Sequence, residues 1–377
     1  MISFGINLLW KIFKISTNGF WRMRKKQGLE IWFVVPCYHT NMVPMVQAFQ
    51  EAGDSVNIFV NAIERTENHD HIVPEMIDHI LKRIQFGQVL KWPDLLIFRD
   101  LSTNARQLVQ LCEKQNTRLI HYTQKPSRRA KGYPSLRKDL TRVRAKQLNK
   151  LPLGTITPLD RSPFLPIRLF HQTFYFPVNP TPQATKLQAN HLRILQVGKL
   201  SQPLKRHDWT IRILRELNQP CTLTICGADL DLDYDDGTRS ITYYSELMDT
   251  PGQTELNGNL SITIFSNLKQ NELSKLYAQS DIFVLPSLHE EFGISVLEAM
   301  SASCSVIVSQ ESGSSRHIKQ HFNGIKFPAN SYEEYRNALE QLIHDAALRK
   351  KLQHNARKTI LKHHSKEQFR TFILQKA

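Results

Sequence analysis

Cysteine is scarce. The 377 residues contain five, Cys37, Cys112, Cys221, Cys226 and Cys304, an odd number with no C-x-x-C pair and no metal-ligand spacing. A disulfide framework and a zinc ribbon are thereby excluded, and reduced thiols in a cytoplasmic protein are expected. Long apolar runs are also missing: the opening charge-free run, Met1 to Trp10, stops at Lys11, far short of the roughly 18 residues that cross a bilayer. There is no G-x-x-x-x-G-K-[ST] phosphate loop, no G-x-S-x-G elbow, no G-x-G-x-x-G after a strand and no H-E-x-x-H. NTPase, hydrolase, dehydrogenase and zinc-protease readings lose their main support. Acidic charge is in deficit, with 34 Asp+Glu against 49 Lys+Arg and a net charge of +15. That balance predicts a polyanionic partner: nucleic acid, an anionic lipid surface or a phosphorylated substrate.

What is present is enough chain for about two domains, with the charge divided between them. Residues 101–150 hold 13 basic and 2 acidic residues, whereas residues 201–300 hold 7 basic and 15 acidic ones. The basic cluster runs through Lys125, Arg128, Arg129, Lys131, Arg137, Lys138, Arg142, Arg144, Lys146 and Lys150. The first 29 residues carry no acidic side chain. There Asn7, Lys11, Lys14, Asn18, Arg22 and Lys25 recur at steps of four and three, one polar stripe on a helix otherwise covered by Ile, Leu, Phe and Trp. A basic amphipathic helix over 1–29, lying in a membrane interface, is expected. The alternative is a helix packed on the protein's own surface. A secretory signal would place its charge ahead of the apolar run rather than after it.

Beyond residue 29, short apolar runs alternate with stretches long enough for helices. Buried strands are predicted at 30–36, 56–60, 95–98, 119–123 and 155–157, then at 194–198, 222–227, 262–265, 281–286 and 306–309. The pattern is that of parallel sheets wrapped by helices, an α/β architecture built twice. Between the two series, Phe174 to Asn190 has three prolines and no clear element, as a linker should. The expected organisation is 1–29 helix, 30–176 N-terminal α/β domain, 177–191 linker, 192–360 C-terminal α/β domain, and a helix over 361–377 placed to pack back on the N-terminal domain. Ligands of such sheets bind beyond the carboxyl ends of the strands.

The most informative stretch lies at such a strand end. Residues 280–303 read SDIFVLPSLHEEFGISVLEAMSAS: a strand to Pro286, a turn, then a helix opened by Gly293. Glu290 falls on the turn and Glu298 on the helix. Amides of Phe292, Gly293 and Ile294 at the helix start suit an anion, and Glu298 can accept hydroxyl hydrogen bonds from a ribose. Glu290-Glu291-Phe292-Gly293 followed by Glu298-Ala299-Met300 resembles the E-x7-E signature of glycosyltransferase family 4, retaining nucleotide-sugar transferases. Tyr277-Ala278, Ser280 to Ser287, Val306-Ile307-Val308 and Asn323-Gly324 also fit, and the resemblance runs from about 194 to 345.

The resemblance implies a GT-B fold, two Rossmann-like α/β domains facing each other across a cleft. It implies that Glu298 holds the nucleotide ribose and Glu290 lies over the donor sugar. It also implies that Gly198, Lys199, Lys205 and Arg206 stand at the donor diphosphate, with Lys205 and Glu290 as the catalytic pair. Lys199 replaces the family's Arg, and a Lys grips phosphate as a point charge rather than bidentately. Arg206 stands where a Gly is typical. The N-terminal half departs further: Pro36 to Asn41 lacks the family's glycines, Asp54 replaces a His, and the usual late-strand His falls on Gln124. His39, Thr40, His121 and Gln124 are the acceptor-side candidates.

The implied reaction is transfer of a sugar, with retention, from a UDP- or GDP-sugar to a lipid-linked or saccharide acceptor. The departing phosphate would help deprotonate the acceptor hydroxyl. No cofactor and no metal are expected, and the acidic run from Asp229 to Asp236 reads as a solvated loop. The expected place is the inner face of the cell membrane, with the basic cluster on anionic lipid. Two other readings stand beside this one: a GT-B-like non-catalytic partner protein, and a basic nucleic-acid-binding protein. The second lacks the aromatic interleaving of a stacking platform.

Overall fold

The computed structural model describes residues 28–38, 42–62, 72–89, 91–99, 102–122, 155–157, 171–181, 192–200, 202–227, 255–257 and 259–376. Two seven-stranded sheets organise them. The first contains β1 (Glu30–Val35), β2 (Ser55–Val60), β3 (Glu75–Met76), β4 (Leu95–Phe98), β5 (Arg118–Tyr122), β6 (Thr155–Thr157) and β7 (His171–Thr173). Their spatial order is β3-β2-β1-β4-β5-β6-β7, and every pairing is parallel. The second contains β8 (Leu192–Val197), β9 (Cys221–Gly227), β10 (Glu255–Asn257), β11 (Leu260–Ser266), β12 (Ile282–Leu285), β13 (Ser305–Ser309) and β14 (Ile325–Phe327). Its order is β10-β11-β9-β8-β12-β13-β14, parallel except where β10 meets β11.

Leaving β10 aside, both sheets show the doubly wound order in which the chain starts at the centre, moves to one edge, returns and fills the other. Helices α1 (Val43–Gln50), α2 (Ile77–Gln85) and α3 (Thr103–Lys114) serve the first sheet. Around the second lie α4 (His207–Leu217), α5 (Gln270–Gln279), α6 (Ile294–Ser301), α7 (Tyr332–His344) and α8 (Ala346–His363). Strand alternation sorts the core. Trp32 and Val34 of β1 face an outer core with Ile77, Leu108 and Val109, and Ile194 and Val284 face another with Ile211 and Leu339. Ile31, Phe33 and Val35 instead join Leu195, Phe283 and Leu285 in one core that spans both sheets.

The last helix, α9 (Lys366–Lys376), packs on α1. Phe369 meets Phe49 at 6.2 Å. Arg370 grips Asp54 with both arms, Nε to Oδ2 at 2.8 Å and Nη2 to Oδ1 at 3.1 Å. Asp54 also accepts the Leu29 N–H. The Asp at this corner, unusual by the sequence comparison, thus has its own cation from the far end of the chain.

Several expectations change. Strands β3, β7, β10 and β14 are two or three residues long and carry no apolar run that would announce them. Residues 174–178, read as the approach to a linker, are extended but anchored. Phe174 lies 5.3 Å from Phe369 and Phe176 lies 5.2 Å from Phe292. Gly28 and Leu29, placed at the end of the opening helix, already lead into β1, with the Ser55 N–H donating to the Leu29 carbonyl. The rest of that helix, the 125–150 cluster, the 229–236 run and most of the linker lie outside the described residues. No disulfide joins the five cysteines, and no helix among the described residues is long and apolar enough to cross a membrane.

Where the chain passes between sheets, two imidazoles meet. His364 Nδ1 donates to the Phe176 carbonyl at 2.7 Å, and its ring centroid lies 4.7 Å from that of His317. Burial holds both neutral, His317 pushed down to about 2 and His364 to about 4, with the neighbouring Arg316 and His363 adding repulsion.

Candidate active site

The strand order of the second sheet reverses between the parallel neighbours β8 and β12, so the loops leaving these strands flank its switch point. The β8 loop is built around Gly198. A Cβ there would stand 3.2 Å from Lys205 Cδ, so the bare backbone lets the Lys205 stem lie across it. Pro203–Lys205 forms a 3-10 turn, and Arg206 closes it in the left-handed region at φ 57. That conformation explains why glycine suits this position. The Arg206 guanidinium stacks on Trp209, 4.1 Å from the ring centre, so the structure gives it an aromatic partner. Lys199 is exposed.

A buried polar chain fixes the backbone of Lys205. Gln196, a polar residue on the otherwise apolar β8, donates to the Lys205 carbonyl at 2.9 Å and accepts from the Thr210 hydroxyl at 2.6 Å. The Tyr335 hydroxyl, 2.8 Å from Thr210 Oγ1, then supplies the next proton. Tyr335, Thr210 and Gln196 are all nearly inaccessible, so each bond left unmade would cost the desolvation of its partner.

The Leu288 N–H donates to the Leu204 carbonyl at 2.8 Å and ties the β12 loop to this turn. Across that tie, Lys205 Nζ forms an ion pair with Glu290 Oε2, the side chains retaining 11% and 21% exposure. The loop after β13 holds the backbone beneath: Gly313 N–H bonds to the Glu290 carbonyl at 3.1 Å, and the Ser312 hydroxyl to the Phe292 carbonyl at 3.1 Å. Phe292, expected at the donor, buries its ring against Phe176 and His317. Gly293 has φ +75, and a Cβ there would meet Leu285 Cδ2 and Ser312 Oγ at 2.9 Å. Only glycine fits this entry to α6, whose first residue is Ile294.

Glu298 lies on α6 and is held by α5. Gln270 Nε2 donates to its Oε1 at 3.0 Å, and Tyr277 Oη to its Oε2 at 3.1 Å. Burial raises the carboxyl above its usual range, and the two hydrogen bonds pull it back. Tyr277 is itself raised well above the usual phenol range by burial and by the Glu298 charge, so it stays a proton donor.

Gly198, Lys199, Lys205, Arg206, Glu290, Phe292, Gly293, Ile294 and Glu298 therefore all lie on the loops after β8 and β12 and on the helix that follows β12, Phe292 and Arg206 with the contacts given above. His121 is on β5 of the first sheet, 4% exposed with its ring 5.2 Å from that of Phe98. His39, Thr40 and Gln124 lie outside the described residues. Among the described residues, no group of three or more His, Cys, Asp or Glu is placed to hold a metal ion. Sequence reasoning missed Gln196, Thr210, Tyr335 and Gln270. A lone Gln inside a buried strand was the one available signal.

Residues 179–359 match the model of the family described as glycosyl transferases group 1. An uncharacterized glycosyltransferase of Methanocaldococcus jannaschii, MJ1607, is 34% identical over 93 residues, covering 25% of this chain and 24% of that protein. The UDP-Gal:alpha-D-GlcNAc-diphosphoundecaprenol alpha-1,3-galactosyltransferase of Escherichia coli is 34% identical over 79 residues, 21% of this chain and 20% of its own. The chain thus spans about a quarter or less of the length of these curated relatives that it matches. Anabaena HepE, solved in complex with UDP, superposes with a TM-score of 0.70 at 14% identity, over 92% of this chain and 98% of that one. The fold is GT-B, and residues 179–359 are similar to the glycosyl transferases group 1 family.

Proposed function

We propose that the protein is a retaining, family 4 glycosyltransferase that moves a sugar from a UDP- or GDP-sugar to a lipid-linked or saccharide acceptor. One observation carries the reading: Lys205 pairs with Glu290 across the loops after β8 and β12, and Glu298 stands on the helix that follows β12, a cation and two carboxylates on separately braced elements flanking the switch point. Lys205 faces the donor diphosphate and stabilises the charge that grows as the glycosidic bond breaks. Glu290 lies over the sugar, and Glu298 accepts the ribose hydroxyls. Positioning and electrostatics do most of the work, because the departing phosphate itself takes the acceptor proton. Lys199 and the amides at the start of α6 share the diphosphate charge, so no metal is required.

UDP bound to HepE favours a uridine donor, and the diphosphoundecaprenol acceptor named for the E. coli relative favours a lipid-linked one. The excess of basic residues over 101–150 suits such an acceptor and an anionic inner-membrane surface. The test is a thermal-shift panel of UDP-, GDP- and ADP-sugars, followed by NMR of the anomeric configuration of the product. Inversion would remove the family 4 assignment. Nucleotide binding without hydrolysis or transfer would make the protein a non-catalytic partner.

A further inference from the structure

The two donors to Glu298 come from one helix. Gln270 and Tyr277 are seven residues apart on α5, two turns along the same face, and each takes a different carboxylate oxygen. Gln270 is exposed at the helix start, whereas Tyr277 is 1% exposed. The phenol is packed 5.9 Å from Phe283 of β12, and its backbone carbonyl accepts the Cys304 thiol at 3.2 Å. Its hydroxyl therefore cannot turn elsewhere without disturbing the core around β12. A carboxylate offers about four acceptor positions, and α5 occupies two of them.

We infer that Tyr277, with Gln270, is a positioning residue for nucleotide recognition: the pair clamps both oxygens of Glu298 so that the remaining lone pairs meet the vicinal hydroxyls of a ribose. The inference rests on the proposed reading of Glu298 as the ribose acceptor and adds what aims it.

The clamp also governs charge. The groups facing Glu298 are the neutral Gln270 amide and the Tyr277 phenol, and the phenol in turn faces the thiols of Cys226 and Cys304. Burial pushes Cys226 up to about 12, so that thiol brings no competing charge. Because burial favours the protonated carboxyl and the two hydrogen bonds oppose it, removing Tyr277 Oη moves Glu298 further upward. A protonated Glu298 has one fewer acceptor for the ribose, so the acid limb of nucleotide binding moves to higher pH.

The experiment measures dissociation constants for UDP and 2′,3′-dideoxy-UDP, from pH 5 to 8, in the full chain and in Tyr277→Phe, Gln270→Ala and Glu298→Ala. Tyr277→Phe is expected to weaken UDP about tenfold at pH 7, to shift the acid limb upward, and to leave dideoxy-UDP unchanged. Equal weakening of both nucleotides, or no weakening, overturns the inference. If Tyr277→Phe does not fold, Gln270→Ala at the helix surface decides: it should cost severalfold in UDP alone, and no change overturns the clamp. Glu298→Ala separates the two claims. If it leaves UDP binding intact, the ribose reading itself falls and takes the clamp with it. If it weakens UDP while the α5 variants do not, only the clamp is lost.

Discussion

Replacing Lys205 by Ala tests the centre of the proposal, and the structure sets the expected sizes. The ammonium is paired with Glu290, so a donor diphosphate that takes Lys205 competes with a carboxylate. Exchanging one anion for another gains little in the ground state. The gain comes as the glycosidic bond breaks and charge accumulates on the departing diphosphate. An ion pair about 4 Å apart is worth about 4 kcal/mol at an effective dielectric of about 20, and loss of one preorganised charge-stabilising donor typically costs about 100- to 1,000-fold in turnover. Lys205→Ala should therefore lower kcat by about two orders of magnitude and change the donor KM by much less. The freed Glu290 adds repulsion toward the diphosphate, and the double variant with Glu290→Gln isolates that part. Because the pair keeps 11% and 21% exposure, the cost to folding should stay near 1–2 kcal/mol, which a thermal melt can check. The assay is release of UDP from UDP-sugar under steady state. A change in KM alone, with kcat intact, would refute the reasoning and place transition-state stabilisation elsewhere.

Other residues give sharper yes-or-no outcomes. Arg206→Gly relieves a left-handed residue, worth about 1 kcal/mol, and loses a cation-π contact of about the same size. Stability and donor KM should both change little, and a tenfold rise in KM would show that the guanidinium leaves Trp209 for the diphosphate. Arg370→Ala strips the cation from Asp54, whose side chain is 1% exposed. About 2–3 kcal/mol of stability should be lost, read as a lower urea midpoint, and Asp54→Asn should restore part of it. For the paired imidazoles, the unfolded chain takes up protons near the ordinary histidine value while the fold refuses them until about 4 at His364. Stability is thus full above about 6.5 and falls as pH drops toward 4, by about 2 kcal/mol at pH 5 from His364 alone. Urea titrations at pH 7.5 and 5 measure the fall. His364→Asn, which keeps a donor for the Phe176 carbonyl, should remove the His364 share of the fall and leave that of His317.

The central strands were legible because burial on both faces leaves a run such as EIWFVV with no polar interruption. The edge strands were not, since residues such as His171–Thr173 are held by a neighbour's ladder rather than by their own apolar content. The carboxylates of the site were legible for a different reason: Gly293 at φ +75 and the packed Phe292 leave the chain around them little freedom, so their spacing survives as a pattern. What braces them was hidden. Gln270 and Glu298 are 28 positions apart, and Lys205 and Glu290 are 85 apart. No local periodicity reports such pairings. Arg206 is another case: its stacking on Trp209 and its left-handed backbone come from its fold neighbours and are not legible from its charge and position.

The same residue type stands at positions 290 and 298, yet the two surroundings differ in kind. Glu290 leans on a cation at the mouth of a loop and keeps a fifth of its side-chain surface in solvent. Its negative charge is matched locally, and it can yield its partner to a stronger anion when one arrives. Glu298 leans on an amide and a phenol. Neither donor neutralises it, and burial works against its charge. A hydroxyl pair entering beside Glu298 would supply further hydrogen bonds to an anion that has no cation among those two donors, which rewards binding without any exchange. A diphosphate entering beside Glu290 must instead compete for Lys205. On the proposed reading, binding energy is collected at the ribose end and little of it at the reacting end, where stabilisation is held back until charge develops. That division follows from neighbours alone: Tyr277 and Gln270 on one side, Lys205 on the other.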